Sequence, residues 1–203
     1  MPDPAYEAIT KARNQANSGN PKGAETSLGS YLEGDPHNSK VRLVLAQILS
    51  NHLKDRNGAI MHLDIILDTE PDNIDAKKAL VTILKTRSKD RKETDRHFRE
   101  LTQLCPNDAD LTNSYAIFLK NQMLDFKASA EMYEKALSID PKRDDIHYNY
   151  AILLYKDIKD LVSVKEHLEE AVRIRPDNNE AKKALERLMK TKFKMKKDRS
   201  SNI

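Results

Sequence analysis

Met132-Tyr-Glu-Lys-Ala-Leu-Ser-Ile-Asp-Pro141 is the stretch that decides the fold. Tyr133 and Ala136 fall three residues apart, on one face of a helix. Pro141 then closes that helix, because it lacks an N–H and holds the residue before it in extended backbone. This proline belongs to a series. Pro36, Pro71, Pro106, Pro141 and Pro176 each stand 35 residues after the one before. A fixed period of this size means repeated supersecondary units, and such an array offers an extended surface in place of a catalytic pocket.

Working outward, each interval reads as two amphipathic helices, A and B. Ile146, Tyr150, Ala151, Leu153 and Leu154 mark one helix A. Val164, Leu168, Ala171 and Val172 mark the helix B that follows. The same columns recur in every unit. Val41, Ala76, Leu111, Ile146 and Ala181 form one column on helix A. Leu45, Leu80, Tyr115, Tyr150 and Leu185 form a second, and Leu49, Leu84, Leu119, Leu154 and Met189 a third. Leu28, Leu63, Phe98, Tyr133 and Leu168 form the column on helix B. What repeats is a burial requirement, not one residue type, and a single helix pair cannot meet it, so neighbouring units must stack.

Asn20, Asp55, Asp90, Asp125 and Asp160 mark the turn between the helices. Asp and Asn are favoured N-caps, because the side-chain oxygen accepts from an unpaired N–H of the first turn. These residues are read as caps for helix B. Asp90 alone has Glu three residues later, at Glu93, which is the capping-box spacing. All five glycines lie in the first 58 residues. Gly23 and Gly29 inside the first helix B predict that the N-terminal unit is the least stable.

Composition agrees with a thin, two-layered array. Charged residues make up 33% and apolar residues 38% of 203 residues, with no Trp. The formal net charge of +3 singles out neither nucleic acid nor membrane as partner. The one cysteine, Cys105, cannot form an internal disulfide. No secretory signal pattern opens the chain, and no apolar run is long enough to span a bilayer. A soluble, cytoplasmic protein is expected. No Ser–His–Asp set, Gly-rich phosphate loop or Cys pair appears, so neither enzymatic activity nor a cofactor is expected.

The columns resemble the tetratricopeptide repeat family. Ala46, Ala116 and Ala151 match its first small-residue column, Ala24 and Ala59 its second, and Ala136 and Ala171 its third. The stretch 132–141 is similar to the family's helix B ending. The resemblance covers about residues 5–176 and a last helix. The unit here is one residue longer than the family's usual one, with the extra residue near the A–B turn. Val81, Thr94, Ser129, Val164 and Glu186 depart from the small-residue columns. The period also fits pentatricopeptide repeats, which read single-stranded RNA, but the Ala and Tyr columns resemble the tetratricopeptide pattern more closely.

The resemblance implies an all-α fold: a right-handed α-α superhelix (solenoid) of about five helix pairs plus a C-terminal capping helix. The solenoid is expected over 1–189, with units at about 4–35, 36–70, 71–105, 106–140 and 141–175, and the capping helix at 178–196. Residues 190–203 form a basic tail.

It also implies a non-catalytic scaffold or adaptor that binds a peptide or helix of another protein along the inner, helix A face. The positions this transfers are Lys78, Lys85, Asn113, Ile117, Lys120, Tyr148, Asn149, Ile152, Tyr155, Lys156, Lys183 and Arg187. Leu43, Val44, Gln47, Asn51 and Thr82 share that face. Asp75, Asp110, Asp145 and Glu180 make an acidic rail near helix A starts, and Lys85, Lys120, Lys156 and Lys190 a basic rail near their ends. The family's chaperone-tail clamp needs Lys and Asn, then Asn, then Lys and Arg in three consecutive units. No such set occurs, so no chaperone C-terminal tail clamp is expected.

His62, His97 and His167 share a helix B column. Equivalent residues lie two helices apart, too far to share a zinc ion, so no metal site is expected and half-exposed positions are predicted. The tail holds six basic residues between Lys190 and Arg199, with Phe193 and Met195 among them. It leaves open a contact with nucleic acid or anionic membrane. A self-assembling homo-oligomer is the alternative to a peptide-binding scaffold.

Overall fold

The computed structural model describes residues 3–193. Among them there is no strand, and the chain divides into two compact units that meet at Leu104 and Cys105. The first holds α1 (Pro4–Asn17), α2 (Pro21–Gly34), α3 (Ser39–Ile48), α4 (Arg56–Thr69), α5 (Ile74–Leu84) and α6 (Arg91–Leu104). The second holds α7 (Ala109–Phe118), α8 (Phe126–Ile139), α9 (Asp144–Leu153), α10 (Leu161–Ile174) and α11 (Asn179–Leu188). In each unit every helix packs on the next, in the helix-pair solenoid architecture that the proline period predicts.

The apolar columns are the core. Leu28, Leu63, Phe98, Tyr133 and Leu168 are all buried, as are Val41, Ala76, Leu111, Ile146 and Ala181. Fully burying one such large side chain stabilises by about 1.5–3 kcal/mol. Thr94, Ser129 and Val164, which replace alanine, are buried too. The two hydroxyls are satisfied: Ser129 Oγ donates to the Ala116 carbonyl at 2.8 Å and Thr94 Oγ1 to that of Asp90 at 2.9 Å. The third helix A column loosens at its end, where Met189 is exposed.

The extra residue of the repeat has a structural form. α3, α7, α9 and α11 each run on into a five-residue π-helical turn, at Leu49–Leu53, Leu119–Met123, Leu154–Ile158 and Met189–Phe193. One inserted residue widens the last turn in this way. Lys54, Leu124 and Lys159 follow in the left-handed region, with φ of 60°, 57° and 71°. Gly19, at φ 87°, holds the same place in the first repeat. The third repeat does otherwise. A 3₁₀ turn, Ser88–Asp90, leads directly into α6, and Arg87 Nε pairs with Asp90 Oδ2 at 2.7 Å.

Caps stand at both ends of the repeat. Asn20, Asp55 and Asp125 accept from the N–H three residues on, and Asp160 from both Val162 and Ser163. Asp90 is the exception to the predicted series: it closes the 3₁₀ turn onto Arg87. A second cap column went unread in the sequence. Asp3, Asn38, Asn73, Asp108 and Asn178 cap helix A, just after each proline turn. Arg143 breaks that column and has no capping bond.

Candidate functional site

In the first unit the helix A faces of α3 and α5 enclose a depression of about 530 Å³. Leu43, Gln47, Asn51, Asp75, Lys78 and Thr82 line it, all of them positions the helix A register selects. Arg13, Ser50 and Ile83 line it as well and were missed. Ser50 stands one period before Lys85, which the register did select, whereas Arg13 and Ile83 share a column with Ile48, a core residue, and so gave no such signal. Ala46 and Ala79 supply a small-residue floor, so a ligand's backbone can approach the helices closely. Val44 points the other way, into the core. Lys85, at the end of α5, is half-buried.

In the second unit the selected positions divide by depth. Ile117, Lys120, Tyr148, Asn149 and Ile152 are half-buried, and Tyr155, Lys156, Lys183 and Arg187 are exposed. Asn113 lies deeper than a groove position should, at 7% exposure, and its Oδ1 has no hydrogen-bond partner. Burial pushes the Lys120 ammonium down, against the pull of Asp157. Burial also raises the Tyr148 phenol, with Glu180 adding to the effect.

The acidic rail is not a row of bare carboxylates. Arg143 takes the missing cap position and joins two of its members. Its Nη2 lies 2.8 Å from Asp110 Oδ1 and its Nε 2.8 Å from Asp145 Oδ1. Hydrogen bonding to Arg143 holds the Asp145 carboxyl below its usual range, although burial opposes this. A repeated polarity along helix A is thus interrupted where Arg143 neutralises it.

Two histidines of helix B, His62 and His167, have hydrogen-bond partners within their own repeat. Arg42 Nε donates to the Pro36 carbonyl at 2.6 Å, and its Nη1 donates to His62 Nδ1 at 2.9 Å. One hundred and five residues on, the same column holds His147. Its Nε2 reaches the Pro141 carbonyl at 3.2 Å and its Nδ1 lies 2.9 Å from His167 Nδ1. A carbonyl only accepts, so His147 carries its proton on Nε2, and the single proton between the facing nitrogens sits on His167. Burial, then the proximity of His147, lowers the His167 pKa, while Glu134, Asp160 and Glu170 oppose it. Tyr150 packs on the His167 ring at 4.7 Å and donates to Glu134 at 2.7 Å. His97 departs from the half-exposed expectation, since it is buried. Among the described residues no three His, Cys, Asp or Glu side chains converge as metal ligands.

The basic tail lies largely outside the described residues, as do Met195 and the last part of the expected capping helix. No helix among the described residues is long and apolar enough to cross a membrane.

Comparison with known proteins places this architecture. Residues 123–188 match the family model described as tetratricopeptide repeat. No curated protein matches the sequence significantly. Among solved structures, MamA from Desulfovibrio magneticus RS-1 (residues 41 to end) is similar at TM-score 0.76 and 16% identity, over 88% of this chain and 99% of its own. A tetratricopeptide repeat protein from Parabacteroides merdae ATCC 43184 is similar at TM-score 0.77 and 16% identity, over 91% and 72%. YrrB, described as a TPR protein with an unusual peptide-binding site, is similar at TM-score 0.68 and 20% identity, over 87% and 89%. Residues 123–188 thus match a tetratricopeptide repeat, and the period, the columns and the helix pairs of the described residues agree with that fold.

Proposed function

We propose that this protein is a non-catalytic scaffold that holds an extended peptide or a helix of another protein against its helix A faces. The observation that carries this reading is the depression between α3 and α5. It has an apolar floor of Leu43, Ala46, Ala79 and Ile83 and a polar rim of Gln47, Asn51, Asp75, Lys78 and Thr82. Such a surface binds main-chain groups through its amides and hydroxyl, and binds side chains through its floor. In the second unit Tyr148, Ile152 and Tyr155 supply the apolar and aromatic anchors that usually carry interface energy. In that same unit Lys120, Lys156, Lys183 and Arg187 favour an acidic group on the ligand. The peptide-binding site named for YrrB is compatible with this reading.

The test is a capture experiment with the full chain. Asn51→Glu with Gln47→Ala alters only exposed positions of the depression. The proposal expects this variant to lose the partners that wild type retains, with an unchanged melting temperature. A self-assembling protein would instead show a concentration-dependent mass in light scattering and no such loss.

A further inference from the structure

On the opposite side of the first unit, helix B faces enclose a second cavity of about 580 Å³. Asp64, Leu67 and Asp68 of α4 form one wall, and Glu93, His97 and Glu100 of α6 form the other. Lys77 from α5 lies at its base, where Nζ donates to Glu100 Oε2 at 2.5 Å. That bond has a consequence for His97. One repeat before and two repeats after, the helix A residue at Lys77's place bonds the helix B histidine: Arg42 reaches His62 Nδ1 and His147 reaches His167 Nδ1, both at 2.9 Å. Lys77 turns to Glu100 instead. His97 is therefore left 7% exposed with Nδ1 unbonded, its nearest acidic oxygens 3.9 Å away on Glu93 and Glu100.

The same wall carries excess negative charge. Five carboxylates line the cavity, at Asp64, Asp68, Asp72, Glu93 and Glu100, against two permanent cations, Lys77 and Arg96. Both cations are directed at one carboxylate, Glu100. Asp64 and Asp68 make no ion pair among the described residues. Burial, with Glu93 and Asp68 close by, raises the Asp64 pKa, as befits a carboxylate that lacks a neutralising partner. With the imidazole proton on Nε2, which faces Glu93, Nδ1 is an acceptor that a ligand's N–H would satisfy.

We propose that the α4–α6 cavity is a docking site for a lysine- or arginine-rich segment of another protein, one cationic side chain entering between Asp64 and Glu93 and donating to His97 Nδ1. A polyatomic cation fits better than a metal ion, because no three ligating groups converge there. Charge-assisted bonds from guanidinium or ammonium to carboxylate are the strong class of hydrogen bond. The site is separate from the helix A depression and does not depend on what binds there.

The probe is tetra-arginine amide, with tetra-lysine amide beside it, titrated into the full chain at about 0.1 M salt, where distant charges are screened. Wild type is expected to bind saturably and to shift the His97 imidazole resonances. Asp64→Asn with Glu93→Gln should weaken binding about tenfold, equal to about 1.4 kcal/mol. Glu131→Gln with Glu166→Gln removes the same charge from exposed helix B positions of the second unit and should change it little. Equal loss in both variants, or no saturable binding, overturns the proposal. So does a His97 shift produced by calcium or magnesium alone. Binding that appears only after residues 190–203 are deleted would make the chain's own basic segment the occupant, and would also overturn it. Asn51→Glu with Gln47→Ala must leave binding intact, so failure here is distinguishable from failure of the helix A reading.

Discussion

Acid should weaken the second unit through one identifiable proton. His167 shares a single proton with His147 across 2.9 Å, and His147 cannot release its other N–H without losing the Pro141 carbonyl. Protonating both rings would put two N–H groups and two charges face to face. The direction is fixed: the His167 pKa is lowered on folding, by burial first and by His147 second, so the unfolded chain binds the extra proton more readily. Stability is then fully present above the unfolded value of about 6.5 and is lost as pH falls through it, until the folded ring also titrates. For a ring that stays neutral in the fold, the loss between pH 7.5 and 5.5 is about 1.4 kcal/mol, the linkage limit for one proton. His167 is only partly buried, and solvent screening reduces the expected effect to about 0.5–1 kcal/mol. The perturbation is His167→Met, the residue type that Met132 supplies one repeat earlier. Urea unfolding of both proteins at pH 7.5 and 5.5 reads the difference directly. His167→Met should lose less stability on acidification than wild type by that amount. An equal acid loss in the two proteins would refute the proton-sharing argument.

Other outcomes follow from single side chains. Tyr133→Phe should be neutral or stabilise by about 1 kcal/mol in denaturant unfolding, because the buried Tyr133 hydroxyl has no partner and Phe98 already fills that column in the repeat before. A loss above about 1 kcal/mol would show that the hydroxyl is satisfied. Gly29→Ala should raise stability by about 0.5–1 kcal/mol, since a Cβ on Gly29 meets nothing within 4 Å and the position is mid-helix. A fall in the melting temperature would contradict the helical assignment there. Gly19→Ala, at φ 87° and equally unobstructed, should cost about 1–2 kcal/mol for conformation alone. If it proves neutral, the turn after α1 does not hold its left-handed residue.

The fold was legible because burial is periodic. A column such as Leu28, Leu63, Phe98, Tyr133 and Leu168 reports an inward face whatever its residues are, and all five are buried. The insertion near the A–B turn was legible as a length, but its form was not. Lys54, Leu124 and Lys159 give no sign of a left-handed backbone, because glycine is absent and the π turn before them sets the geometry. Asp90 matched a capping box by spacing, yet Arg87, three residues before it, captures its carboxylate. The register of helix A selected Leu43, Gln47, Asn51, Asp75, Lys78 and Thr82, which the structure brings to one depression. The same register could not rank depth. Val44 and Asn113 lie inside because helix packing buries more than one face. Arg143 was invisible as a clasp because its partners, Asp110 and Asp145, come from different repeats.

Helix A faces that hold a partner must lie against it. Site-specific photo-crosslinking tests this most directly, with a benzophenone side chain placed at Thr82 on the rim of the α3–α5 depression and, separately, at Met61, an exposed position on α4. A retained partner should crosslink at Thr82, and its crosslinked peptide should map to one extended or helical segment. Crosslinking at Met61 with none at Thr82 would contradict this contact.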